Sequence, residues 1–200
     1  MDPELETVLT NFSRIYLGGI PPIITNDSAF LAFVCIVTAT EALCGYRNGK
    51  KYDRGQMGSL FKAFVAEYFP DPYKPYADDL WDFRNKLIHA FSPGRFSLTH
   101  HNSQSHLRTY APEVASAESE HGGGFLAVTT APQYNISVTG SNYVQPGSLI
   151  LNAEDFYAGL LSAAQRYFSE VRESRDLQTI LRERIRSETG GALAIHEIEL

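Results

Sequence analysis

Arg84, Asn85 and His89 fall within one run, Arg84-Asn85-Lys86-Leu87-Ile88-His89, near the end of a helical pattern. Their side chains form a set able to move protons and hold negative charge. An imidazole titrates near neutral pH and serves as general base or acid. A guanidinium is permanently charged and offers a planar fork of donors to phosphate oxygens as charge builds in a transition state. A neighbouring carboxamide can orient the imidazole or hydrogen-bond a phosphate.

The run resembles the R-(N/D/H)-x-x-x-H variant of the motif of HEPN domains, a helical superfamily that includes many metal-independent RNA-cutting toxins. RNA carries its own nucleophile, the 2′-hydroxyl, so strand cleavage needs only proton transfer and charge stabilisation. The resemblance implies an endoribonuclease with His89 as acid/base, Arg84 as phosphate clamp and Asn85 as orienting group, without metal or cofactor. It also implies RNA as a partner, a homodimer with a composite cleft, and an antitoxin-like protein partner. Many members of the superfamily are non-catalytic, so the same resemblance supports a second reading. In it the chain is a module that binds a nucleotide, RNA or a protein, and Arg84 and His89 are structural.

Helix geometry bears on both readings. At 100° per residue, Leu80, Phe83, Leu87 and Phe91 make an apolar stripe, with Ile88 at its edge and Arg84 inside it. Asn85 and His89 lie four apart on another face, near Asp78 and Asp82. Arg84 and His89 are thus about 140° apart on a straight helix. The length of the arginine, or unwinding of the helix near Pro93, has to close that gap. The structural alternative pairs Arg84 with Glu41, alone in a hydrophobic helix, and gives His89 to the carbonyl end of its own helix.

The elements that must position these residues are mostly helical. Leu5, Val8, Leu9, Phe12 and Ile15 predict a helix from Glu4 to Tyr16, followed by Gly18-Gly19 and an extended connector at Pro21-Pro22. A buried helix from Asp27 or Ser28 to Tyr46 comes next, then one from Asp53 to Tyr68, and then the motif helix from Tyr73 to Ala90, halted by Ser92-Pro93-Gly94. Short loops between four helices predict antiparallel packing. Residues 92–151 read as a small antiparallel β insertion, with strands at 95–100, 125–130, 134–139 and 148–151. The intervening polar loop, 102–124, reads as mobile. Asn152 then caps a helix to about Arg172, and a helix from Asp176 to Ser187 carries Arg182, Arg184 and Arg186 on a solvated face. Residues 188–200 are a tail or edge strand. The fold class expected is mainly α: one domain over 1–200, an antiparallel HEPN-like bundle with the β insertion between its fourth and fifth helices.

Composition sets the outer bounds. An apolar content of 44% with twelve Phe and eleven Tyr predicts a globular core filled by rings. The net charge of −6 excludes a broad basic surface for duplex nucleic acid and leaves room only for a narrow RNA contact. Cys35 and Cys44 sit too far apart along one helix for a disulfide and read as buried thiols of a cytoplasmic protein. The longest uncharged apolar run, Ser28 to Thr40, is too short to span a membrane, and the chain opens without a signal peptide pattern. His100, His101, His106 and His121 lack the spacing and companion ligands of a metal site.

Overall fold

The structure, a computed structural model, describes residues 2–25, 29–49, 55–99, 126–128 and 149–187. The expected strand at 134–139, the loop at 102–124, the four histidines from His100 to His121 and the tail at 188–200 lie outside the described residues.

Helix α1 (Pro3–Asn11) starts on Asp2, whose side chain accepts from the Glu4 amide at 3.0 Å, with Pro3 in the first turn. A π-helical turn, Phe12–Leu17, continues it to Gly18. Pro21-Pro22 then lie inside a short helix, α2 (Ile20–Thr25), and not in an extended connector. Both prolines fall in its first turn, where no intrahelical amide is required.

The core is organised around α3 (Ala29–Asn48). It touches α2, α4 (Met57–Tyr68), α5 (Ala77–Ala90), α6 (Ala153–Glu173) and α7 (Arg175–Ser187). Ala32, Phe33, Ile36, Val37, Thr40, Leu43 and Cys44 are buried, and Phe33 meets Phe83 of α5 and Phe156 of α6. Its uncharged run ends at Thr40, yet the helix goes on. Phe30–Asn48 is therefore the one stretch among the described residues long and apolar enough to cross a membrane. Its packing against five other helices gives that apolar character a simpler cause, the core.

The motif helix is shorter than its spacing predicts. Residues Asp71–Tyr76, with Pro75 inside, form a 3-10 turn, and α5 proper begins at Ala77. The β insertion is mixed, not antiparallel. Strand β1 (Phe96–Thr99) pairs in parallel with β3 (Leu149–Asn152), with Phe96 opposite Leu149, and β2 (Leu126–Val128) pairs with the other edge of β3 antiparallel. Alternation marks a strand without giving its direction. The long stretch between β1 and β3 permits the crossover that a parallel pair needs. The sheet seats on α5 through Phe96 and Phe83, with ring centroids 5.0 Å apart, and through Arg95, which donates to Asp79 at 2.6 Å. At the other end β3 runs straight into α6, and Asn152 caps that helix by accepting from the Asp155 amide at 3.0 Å.

Candidate active site

Leu80, Phe83 and Leu87 turn one face of α5 into the core and so fix the face on which the polar residues emerge. Next to that face Trp81 packs against Phe61, with centroids 5.5 Å apart. Its indole also covers Gly58 of α4, where a Cβ would stand 2.9 Å from the ring. Arg84 crosses this indole, its guanidinium carbon 5.4 Å from the ring centroid.

Glu41 of α3 then fixes the guanidinium. A single carboxylate oxygen, Oε2, accepts from Arg84 Nε at 2.8 Å and from Nη2. The pair is well shielded, with side-chain exposures of 15% for Arg84 and 23% for Glu41. The remaining nitrogen, Nη1, donates to Asn85 Oδ1 at 3.1 Å and lies 3.5 Å from His89 Nε2, the outer limit of a hydrogen bond. Arginine only donates, so in a hydrogen bond here Nε2 is the acceptor. The three residues singled out in the sequence are therefore gathered around one guanidinium nitrogen. The gap of about 140° is closed by the length of the arginine, on a helix that stays regular to Ala90.

The Glu41 pairing of the structural alternative is present, and the same guanidinium lies beside an exposed His89. The acidic residues of α5 are turned elsewhere: Asp82 to Lys86 at 2.7 Å, Asp78 to Lys62 at 2.8 Å and Asp79 to Arg95 at 2.6 Å.

Two contributors were not visible in the motif. Trp81, three residues before Arg84, is signalled only by helical i,i+3 spacing. Phe91 was assigned to the apolar stripe, but it ends the helix in the left-handed conformation and is 74% exposed. A left-handed residue breaks the 100° progression, so its side chain leaves the stripe.

Thiol chemistry is disfavoured. Cys44 is buried and donates to the Thr40 carbonyl, and burial pushes both its thiol and that of half-buried Cys35 up. Among the described residues no group of three or more His, Cys, Asp or Glu side chains is placed to hold a metal ion. No family model, curated protein or solved structure matches this chain.

Proposed function

We propose that this chain is a HEPN-like endoribonuclease that cleaves RNA without a metal, through Arg84, Asn85 and His89. One observation carries the reading: Arg84 Nη1 and His89 Nε2 lie 3.5 Å apart, with the imidazole open to solvent. In the proposed reaction, a phosphate oxygen accepts the hydrogen bond that Nη1 now directs at His89, which leaves Nε2 free to remove the 2′-hydroxyl proton. The 2′ oxygen bonds to phosphorus as the bond from phosphorus to the 5′ oxygen breaks. The products are a 2′,3′-cyclic phosphate and a 5′-hydroxyl, whose proton comes from an imidazolium or from water. Glu41 acts as a positioning residue that turns the Nη1 edge towards His89.

The fold is in keeping with this. Phe30 of α3 stacks on Phe91, while Glu41, farther along α3, meets Arg84, nearer the start of α5. Those contacts run the two helices in opposite senses, as an antiparallel HEPN-like bundle requires. The reading extends to a cytoplasmic homodimer, in which two copies duplicate the trio, and to an antitoxin-like protein that restrains it.

The Glu41–Arg84 pair favours one competing reading, a non-catalytic module for nucleotide, RNA or protein in which the pair holds α3 to α5. Incubation of pure protein with mixed RNA and a chelator separates them. The ribonuclease reading expects cleavage by the wild type and loss of at least two orders of magnitude in His89→Ala, the usual contribution of a general acid or base. Equal cleavage by both removes it. A large loss of thermal stability in Arg84→Ala with unchanged RNA binding supports the module.

A further inference from the structure

Among the described residues, the large hydrophobic side chains left exposed are Leu31, at 52%, and Phe91, at 74%. Phe91 stacks on Phe30, with ring centroids 6.3 Å apart and planes 28° apart, and Leu31 follows Phe30 in the sequence. Phe91 is also the one described non-glycine residue with positive φ, at φ 48° and ψ 38°. A bulky side chain is disfavoured in that region, where glycine or asparagine usually ends a helix. The helix end itself does not need the ring. Its orphan carbonyl is met by backbone amides, those of Phe91 and Ser92 bonding to Lys86 O, and a glycine would supply the same amide. Capping of the helix therefore accounts for neither the left-handed backbone nor the exposed ring, whose face lies on Phe30.

Position suggests what does. Phe91 follows His89 by two residues, which keeps their Cα atoms within about 7 Å. A phosphate held at Arg84 and His89 thus brings a base of the same strand within reach of the ring. The net charge of −6 sharpens the point. A protein without a broad basic surface must draw affinity for RNA from something other than many phosphate contacts, and stacking is uncharged.

We infer that Phe91, backed by Phe30, is a stacking step for an unpaired base beside the phosphate engaged by Arg84 and His89, so that the substrate is single-stranded RNA. The inference rests on the ribonuclease reading. A duplex hides its base faces, whereas the unstacked bases of loops and single strands are free to lie on an aromatic ring.

The test uses a fluorescent 2′-O-methyl single-stranded oligonucleotide, which lacks the attacking hydroxyl, with anisotropy as the readout for the full chain. Phe91→Ala should bind about tenfold or more weakly than wild type. Phe91→Trp should keep its affinity, Phe91→Leu should be as weak as Phe91→Ala, and the same sequence as a duplex should bind poorly. Unchanged affinity in Phe91→Ala, or wild-type affinity in Phe91→Leu, overturns the inference. So does sedimentation showing that Phe91→Ala splits a dimer with RNA affinity intact, which would make the ring a contact between copies. Cleavage by wild type with the same KM in Phe91→Ala sinks the stacking step alone. A wild type that neither binds the oligonucleotide nor cuts natural RNA sinks the ribonuclease reading with it.

Discussion

Glu41 gives one carboxylate oxygen to two nitrogens of Arg84, so the residue proposed to clamp a phosphate is also the one that ties α3 to α5. Removal of either partner leaves the other charge three-quarters or more shielded from water. Glu41→Ala should cost about 2–3 kcal/mol in a urea titration, towards the low end for breaking a shielded pair because neither group is fully buried. The double variant Glu41→Leu with Arg84→Met should recover most of that loss while remaining inactive on RNA. Single variants that cost under about 0.5 kcal/mol would mean the pair is solvated in solution. Phe91 should behave in the opposite way. Phe91→Gly relieves a left-handed backbone and should raise stability by about 1 kcal/mol, seen as a higher Tm, while weakening RNA binding. At this scale much was legible. A lone glutamate in an apolar helix and an arginine in an apolar stripe announced each other across 43 residues. The exposure of Phe91 was not legible, because its cause is a backbone dihedral that no side-chain spacing encodes.

Between elements, the site depends on how closely α4 approaches α5. Gly58 gives Trp81 the room to lie flat, and Trp81 in turn underlies the guanidinium. Gly58→Ala should therefore destabilise by about 1–3 kcal/mol through overpacking and, under the ribonuclease proposal, reduce RNA cleavage, though it lies on a different helix from the trio. Full activity with only the stability loss would show that the indole does not position Arg84. The helices themselves were readable from apolar spacing, since α1, α3, α4, α5 and α6 bury most of the residues that their periodicity singled out, such as Leu5, Phe61 and Phe156, while α7 buries Leu181 alone. Direction and register in the sheet were not. Val, Ile and Leu alternate alike in parallel and antiparallel strands, and only the crossover between β1 and β3 decides. Of the α7 arginines expected on a solvated face, Arg186 is exposed, but Arg182 and Arg184 are half-buried, for a related reason. Arg182 donates to Asp2 at 2.8 Å and Arg184 lies against Gly45, contacts set by where α7 docks.

At the scale of the whole molecule, packing of rings against α3 makes stability sensitive to alkali. The Tyr68 ring is buried and its hydroxyl donates to Glu170 at 2.7 Å; burial and that bond push its phenol up to about 12. Burial pushes Tyr167 and Cys44 up as well. The folded state holds these protons more tightly than the unfolded chain does. The stability so gained is complete below the unfolded pKa, near pH 10 for tyrosine, and drains away as pH rises through the folded value. The urea midpoint should be level at neutral pH and fall between about pH 9 and 12; a flat profile there would mean that these hydroxyls ionise freely. Acid acts elsewhere. Arg182 holds Asp2, and Arg172 holds Glu6, below the usual carboxylate range, so this docking of α1 on α6 and α7 is intact above about pH 4 and weakens below it. The junction of β3 and α6 has its own outcome. With Asn152 only 2% exposed and no residue between strand and helix, the insertion has no hinge at that end. Amide hydrogen exchange along 149–156 should then proceed at one shared rate, and the sheet should open to solvent only when the helical core opens with it.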